Sequence, residues 1–295
     1  MASLIKQRKY NRNILLEYIK LMRPKQYIKN GFVLAALIFS NNILNPSLAL
    51  KSILSFIAFC MISSAYILND ILDIEKDKMH PKKCKRPLAS GSIGKKGAIS
   101  LGIVLVLSSI LLSLLIHKNL CVIILLYLFN NIMYSLKLKN IILIDVFSIA
   151  IGFILRVCAG SIAINVSLSS WIILCTFFLS LYLGFGKRKK EIILLKEDAS
   201  NHRKILKEYD EENLNQMMSI SLSATIVCYS LYSANNIYNS NMIFTTVFVV
   251  YGVLRYNYIV NIGDEGNPTD VVLNDKSLKF CVLFWVIACI GILST

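Results

Sequence analysis

The chain has 295 residues, is 56% hydrophobic with a mean hydropathy of +0.61, and carries a formal net charge of +15. Its apolar residues fall in blocks of about 20, the length a helix needs to cross a bilayer; this excludes a soluble globular protein, and a nucleic-acid-binding module too, since no soluble domain is there to present the charge. The eight cysteines form no CxxC pair and all but Cys84 lie in apolar blocks, so they read as small apolar packing residues and not as a disulfide framework or zinc site.

The blocks predict an all-α polytopic membrane bundle forming one domain, with spans near 31–44, 48–69, 97–116, 119–136, 141–163, 169–186, 217–236, 241–260 and 279–294. Nine helices put the termini on opposite sides. The segments on the N-terminal side carry 29 of the 32 Lys and Arg residues, so the positive-inside rule predicts a cytoplasmic N-terminus and an external C-terminus. That basic face would lie against anionic headgroups of membrane lipids and attract phosphorylated substrates. The first 30 residues show no small-residue cleavage site, and the first span is expected to be retained.

In chain order, residues 1–27 read as an interfacial segment, with NILLEYIKLM at 13–22 amphipathic enough to lie on the membrane surface. Pro24 marks the break into the first span. Lys25 and Lys29 enter the membrane here, and either snorkel to headgroups or hold a ligand. The second span runs into YILNDILDIEKDKMHPKKCKRPLASG, residues 66–91. On one helix, Asn69, Asp70, Asp73 and Asp77 would share a face, since their spacings are three and four residues. Carboxylates so crowded need a cation, and Mg²⁺ held jointly by protein oxygens and substrate phosphates is the usual solution. Lys82, Lys83, Lys85 and Arg86 follow at once and would hold the remaining phosphate charge.

The next polar residues are Asn130, Asn131, Tyr134 and Ser135, then Lys137 and Lys139 in a short turn. The fifth span contains Asp145 and Arg156. Each should face the bundle interior and have a partner, because a charge at bilayer depth costs at least about 2.5 kcal/mol. They are three turns apart, about 16 Å along the axis, and so are not each other's salt bridge. Gly152, Ala159 and Gly160 give this helix a close-packing side, a feature that also allows a homo-oligomer. The sixth span ends in GFGKRKKE, residues 184–191, followed by a charged stretch through Gln216 that reads as a lid over the cytoplasmic mouth. Residues 70–96 and 187–216 are thus the predicted cytoplasmic active-site loops. The last loop is acidic, with Asp264, Glu265, Asp270 and Asp275 suited to partner the basic loops.

These residues resemble the UbiA superfamily of intramembrane prenyltransferases, whose NDxxDxxxD signature is matched by Asn69, Asp70, Asp73 and Asp77. The resemblance implies nine helices around a cavity open to the cytoplasm. Aromatic prenyltransferases of the superfamily carry a second DxxxD motif at the end of the sixth span; here Lys187, Arg188 and Glu191 stand in its place, which weighs against that activity. A transporter or flippase would fit mid-membrane charge, but the acidic cluster lies at the boundary and no span reads as broken by Gly or Pro.

The departure resembles the decaprenyl-phosphate phosphoribosyltransferase branch, on RPKQYIKN, the NDILDIEKDKMHPKKCKRPLASG stretch, YSLKLKNIILIDV, GFILRVCAG, KRKKE, HRKILKEY and NPTDVVLND. That resemblance implies transfer of phosphoribose from 5-phosphoribosyl 1-diphosphate (PRPP) to a polyprenyl phosphate, with Mg²⁺, at the bacterial cytoplasmic membrane, for cell-envelope polysaccharide precursors. Asn69, Asp70, Asp73 and Asp77 would hold Mg²⁺ on the donor diphosphate, the three aspartates being the catalytic residues through that ion. Lys83 and Arg86 would neutralise that diphosphate, and Lys187 and Arg188 would bind phosphate on the opposite wall. Lys25, Lys29, Tyr134 and Lys139 would complete the phosphate pocket, Tyr66 would face the ribose, and Arg156 would either fix the lipid phosphate or buttress the cavity.

Overall fold

The structure, a computed structural model, describes residues 14–79, 83–195, 204–262 and 267–294. Among them it is helical, with no strand. Eight segments are long and apolar enough to cross a membrane: Pro46–Leu72, Lys95–Ile116, Lys118–Leu136, Ile144–Ile164, Ser170–Ile193, Glu211–Ala234, Ser240–Ile262 and Lys276–Ser294. The predicted first span is not among them. After a surface helix α1 at residues 14–21, Pro24–Leu34 winds as a 3₁₀ helix and only Ala35–Phe39 (α2) is α-helical. A 3₁₀ helix rises about 2 Å per residue, so residues 24–39 still cover roughly 30 Å, about one hydrocarbon thickness.

The narrow 3₁₀ helix fits because of what it meets. A Cβ at Gly160 would collide with the carbonyl of Val33, so the close-packing side expected of the fifth span is used against this stretch. Val33 and Ala36 join Phe59, Ile62, Tyr127, Ala159 and Ala163 in one buried core.

The second span also departs from expectation, being two helices, α3 (Pro46–Ile62) and α4 (Ala65–Leu72). Asn45 starts α3 by accepting from the Ser47 and Leu48 N–H groups at 3.1 and 3.3 Å, with Pro46 at the first helical position where its missing N–H costs nothing. Ser63 ends it: its hydroxyl donates to the Phe59 carbonyl at 2.7 Å and competes with the backbone ladder, which bends a helix. A short α5 (Ile74–Met79) follows, then α6 (Lys95–Ile116), α7 (Lys118–Leu136) and α8 (Ile144–Ile164). On α6, Leu107, Leu111, Leu114 and Leu115 are exposed, as lipid-facing side chains must be.

Helix α9 runs from Ser170 to Leu195, past its predicted end at 186. Lys187–Lys190 therefore sit on its last turns, so the stretch predicted at 187–216 begins as helix. Beyond 203 a 3₁₀ turn, Lys204–Lys207, leads to α10 (Glu211–Ala234), capped by the Asp210 carboxylate, which accepts from the Asn213 N–H at 2.9 Å. Asn201, His202 and Arg203 lie outside the described residues. Helices α11 (Thr246–Ile262), α12 (Pro268–Asn274) and α13 (Lys276–Ser294) complete the bundle. A second core, with Val146, Tyr182, Phe185, Ile205, Tyr209, Leu214 and Tyr256, joins α8, α9, α10 and α11 to the segment after α9.

Candidate active site

Helix α4 presents Asn69 and Asp70, then stops at Asp73, whose φ of −102° and ψ of 14° leave the helical region. The single acidic face expected from spacing is therefore split in two. Asp70 and Asp77 form one pair, both buried and both bound to Arg86, whose Nη1 lies 3.0 Å from Asp70 Oδ1 and 2.6 Å from Asp77 Oδ2. Arg23 adds a second guanidinium, its Nε donating to Asp70 Oδ2 at 3.1 Å and its Nη2 to Oδ1. Asn69 and Asp73 form the other pair. Both turn to Lys139, whose Nζ donates to Asn69 Oδ1 at 3.2 Å and to the two Asp73 oxygens at 3.0 and 2.9 Å.

Among the described residues no three His, Cys, Asp or Glu side chains converge as a metal cage. Mg²⁺ does not need one: it is held by one or two carboxylates, with waters and substrate phosphates completing the octahedron. Each oxygen pair here already converges on a cationic nitrogen, so the donor set fits a divalent cation that arrives with a diphosphate.

Deeper in the bundle, Arg156 is 3% exposed and has all three nitrogens engaged. Nε donates to Asn30 Oδ1 at 2.8 Å, Nη1 to the Gly152 carbonyl at 2.8 Å, and Nη2 to the Tyr127 hydroxyl at 2.6 Å and the Tyr66 hydroxyl at 3.4 Å. Its guanidinium also lies over the Tyr127 ring, 4.8 Å from the centroid. No carboxylate pairs with it among the described residues. Asn30 in turn donates to Ser63 Oγ at 3.2 Å, so the residue that ends α3 also anchors the 3₁₀ stretch. Lys29 lies within electrostatic reach of Tyr66, Arg156, Tyr134 and Arg23. Of the two roles expected of Arg156, fixing the lipid phosphate or buttressing the cavity, these bonds show the contacts a buttress makes. Lys25 and Lys83 are exposed.

At the basic end of α9 one of the expected phosphate-binding residues also carries interior ion pairs. Arg188 has a fully buried side chain: Nε bonds Asp145 Oδ2 at 2.6 Å, Nη1 bonds Glu191 Oε2 at 2.7 Å, and Nη2 reaches the Tyr134 hydroxyl at 3.4 Å. A guanidinium so committed is the interior partner that Asp145 required. Lys187 is more open, 3.9 Å from Glu191. Lys189 donates to Asn261 Oδ1, and Lys190 to the Val260 carbonyl at 3.4 Å, which tie α9 to α11.

Four residues take part here that had been given no site role from sequence: Arg23, Asn30, Tyr127 and Tyr209. Tyr209, from the segment after α9, donates its hydroxyl to Asp145 Oδ1 at 2.8 Å and accepts the Leu143 N–H at 2.9 Å. Burial and the Asp145 carboxylate both raise its pKa, which keeps the hydroxyl protonated as a donor. Arg23 had a signal in its place directly before Pro24 at the membrane boundary; Tyr209 lay within the HRKILKEY motif, with nothing in the sequence to tie it to Leu143.

In the last loop, Asp264 and Glu265 lie outside the described residues. Asp275 partners Arg255, whose Nη2 is 2.8 Å from Asp275 Oδ2; that hydrogen bond holds the Asp275 carboxyl below its ordinary range. Asp270 accepts from Asn267 at 2.6 Å within α12.

Residues 31–288 match the model of the UbiA prenyltransferase family. The chain is 33% identical, over 95% of its length and 88% of the relative's, to a decaprenyl-phosphate phosphoribosyltransferase of Corynebacterium glutamicum. It is 31% identical, over 93% of its length and 92% of the relative's, to that of Mycolicibacterium smegmatis. Among solved structures, a UbiA homolog from Archaeoglobus fulgidus bound to DMAPP and Mg²⁺ superposes with a TM-score of 0.72 at 16% identity, over 95% of this chain and 99% of the other.

Proposed function

The chain belongs to the UbiA prenyltransferase family, and from that premise we propose that it transfers 5-phosphoribose from PRPP to a polyprenyl phosphate, releasing diphosphate. Full-length similarity to two decaprenyl-phosphate phosphoribosyltransferases supports the reading. The observation that carries it is the set of cations meeting the acidic residues: Arg23 and Arg86 on Asp70, and Lys139 on Asp73. A donor diphosphate, a 5-phosphate and a lipid phosphate bring a large negative charge into one site, and preorganised cations stabilise it.

Asn69, Asp70, Asp73 and Asp77 would hold Mg²⁺, which would supply Lewis-acid neutralisation of the leaving diphosphate. Arg86 and Lys139 then trade carboxylate partners for phosphate oxygens, and Lys29, Tyr66 and Tyr134 hold the remaining polar groups of the donor. The lipid phosphate oxygen is ionised at neutral pH, so it attacks C1 of the ribose without a general base. The bond to diphosphate breaks as the new C1–O bond forms, and alignment of the two substrates supplies most of the acceleration. With residues 24–39 counted as a crossing, the chain passes the bacterial cytoplasmic membrane nine times, its N-terminus and active site cytoplasmic and its C-terminus external.

Membranes containing the protein, given radiolabelled PRPP, polyprenyl phosphate and Mg²⁺, are expected to move label into the lipid phase. Asp73→Ala is expected to abolish this while remaining monodisperse in detergent. No label in lipid with the unaltered protein overturns the reading.

A further inference from the structure

The turn that delivers Lys139 to Asp73 ends in a strained backbone. Leu143 has φ of 63° and ψ of −44°, and the Ile144 N–H bonds the Ile142 carbonyl at 2.7 Å. This is a γ-turn of the rare, strained hand, centred on a residue whose Cβ disfavours positive φ. Something outside the turn must hold it. The Leu143 N–H points at the Tyr209 hydroxyl, 2.9 Å away, and the same hydroxyl donates to Asp145 Oδ1, 2.8 Å away and two residues further along. Asp145 is fixed from the other side by Arg188. Tyr209 is itself anchored in the core shared by α8, α9 and α10.

We propose that Tyr209 is a positioning residue for the donor site: its hydroxyl clamps the γ-turn at Leu143, and so sets where the preceding 3₁₀ turn, Leu138–Asn140, carries Lys139. The clamp joins the segment after α9 to the acidic residues through three short links. Tyr209 touches no reacting atom; it acts through Lys139. The catalytic half of this inference rests on the reading above that Lys139 meets a donor phosphate, whereas the mechanical half does not.

Two measurements separate the halves. Hydrogen exchange in the substrate-free protein is expected to show the Leu143 amide protected, and Tyr209→Phe, which keeps the ring and removes only the hydroxyl, is expected to speed exchange at 138–143 at least tenfold while leaving α10 unchanged. In turnover assays, Tyr209→Phe is expected to raise the KM for PRPP about tenfold with little change in that for polyprenyl phosphate. In a Lys139→Met background the same substitution should add nothing, because two residues acting through one contact are not additive. Unchanged exchange at Leu143 in Tyr209→Phe overturns the clamp, whatever the substrate. Additive losses, or equal losses for both substrates, overturn the action through Lys139. If the variant does not fold, the unaltered protein decides: a Leu143 amide exchanging as fast as those of the exposed turn at 235–238 overturns the proposal.

Discussion

Arg86 Nη1 stands between two carboxylates, 3.0 Å from Asp70 and 2.6 Å from Asp77. One nitrogen thus holds together two acids from different helices. Removing it leaves Asp70 paired only with Arg23 and frees Asp77 Oδ2, so the two buried acids repel each other more strongly and Asp77 is open to a divalent ion. Arg86→Ala is expected to bind Mn²⁺ more tightly than the unaltered protein when no donor is present, read by the fall in free-ion EPR signal. The KM for PRPP is expected to rise at least tenfold, since hydrogen bonds to charged groups contribute about 1.5–3 kcal/mol. Unchanged Mn²⁺ affinity would show that Arg86 does not occupy the site.

Asp145 and Arg188 are both fully buried side chains, and a broken buried pair leaves an uncompensated charge. Asp145→Leu is expected to destabilise the protein by about 3–5 kcal/mol, seen as a large fall in melting temperature in detergent. The double variant Asp145→Leu, Arg188→Met should recover most of that loss. If Arg188 were instead a phosphate ligand, the double variant would be stable only at the level of Asp145→Leu.

Gly160→Ala puts a methyl group against the Val33 carbonyl. Overpacking of this kind costs about 1–3 kcal/mol. Thermal melting should register it, and the neighbouring Gly152→Ala, where the nearest atom to the added carbon would be Arg156 Nη1 at 3.5 Å, should cost less. Equal losses at the two positions would argue against the close approach of the 3₁₀ helix.

Arg156→Lys keeps the charge and discards the fork that reaches Asn30, Gly152 and Tyr127 together. A lysine ammonium cannot match three such directions. The expected result is a lower melting temperature that added polyprenyl phosphate does not restore. Full restoration by that lipid would mark Arg156 as a direct phosphate ligand.

Much of the bundle was legible because lipid exposure and burial both demand apolar residues, and composition reports that directly. Hydropathy says nothing about how tightly a helix winds, so the 3₁₀ course of residues 24–34 and the break at Ser63 were not visible. The spacing of Asn69, Asp70, Asp73 and Asp77 located the acidic residues correctly but assumed one unbroken helix. The end of α4 at Asp73 divides them, and that division explains why Arg86 and Lys139 each serve one pair. Asp145 was expected to have a buried partner, yet Arg188 lies 43 residues away and read as a phosphate-binding cation in a basic run. Tyr209 lies in the HRKILKEY motif, but its role was not legible because it comes from a backbone strain 66 residues earlier.

Arg23, Arg86 and Lys139 give the acidic residues internal counter-ions, and this bears on handling as well as on chemistry. With these partners in place the fold is expected not to depend on magnesium: extraction in chelating buffer should leave the melting temperature unchanged, and activity should return when the ion is supplied together with the sugar donor.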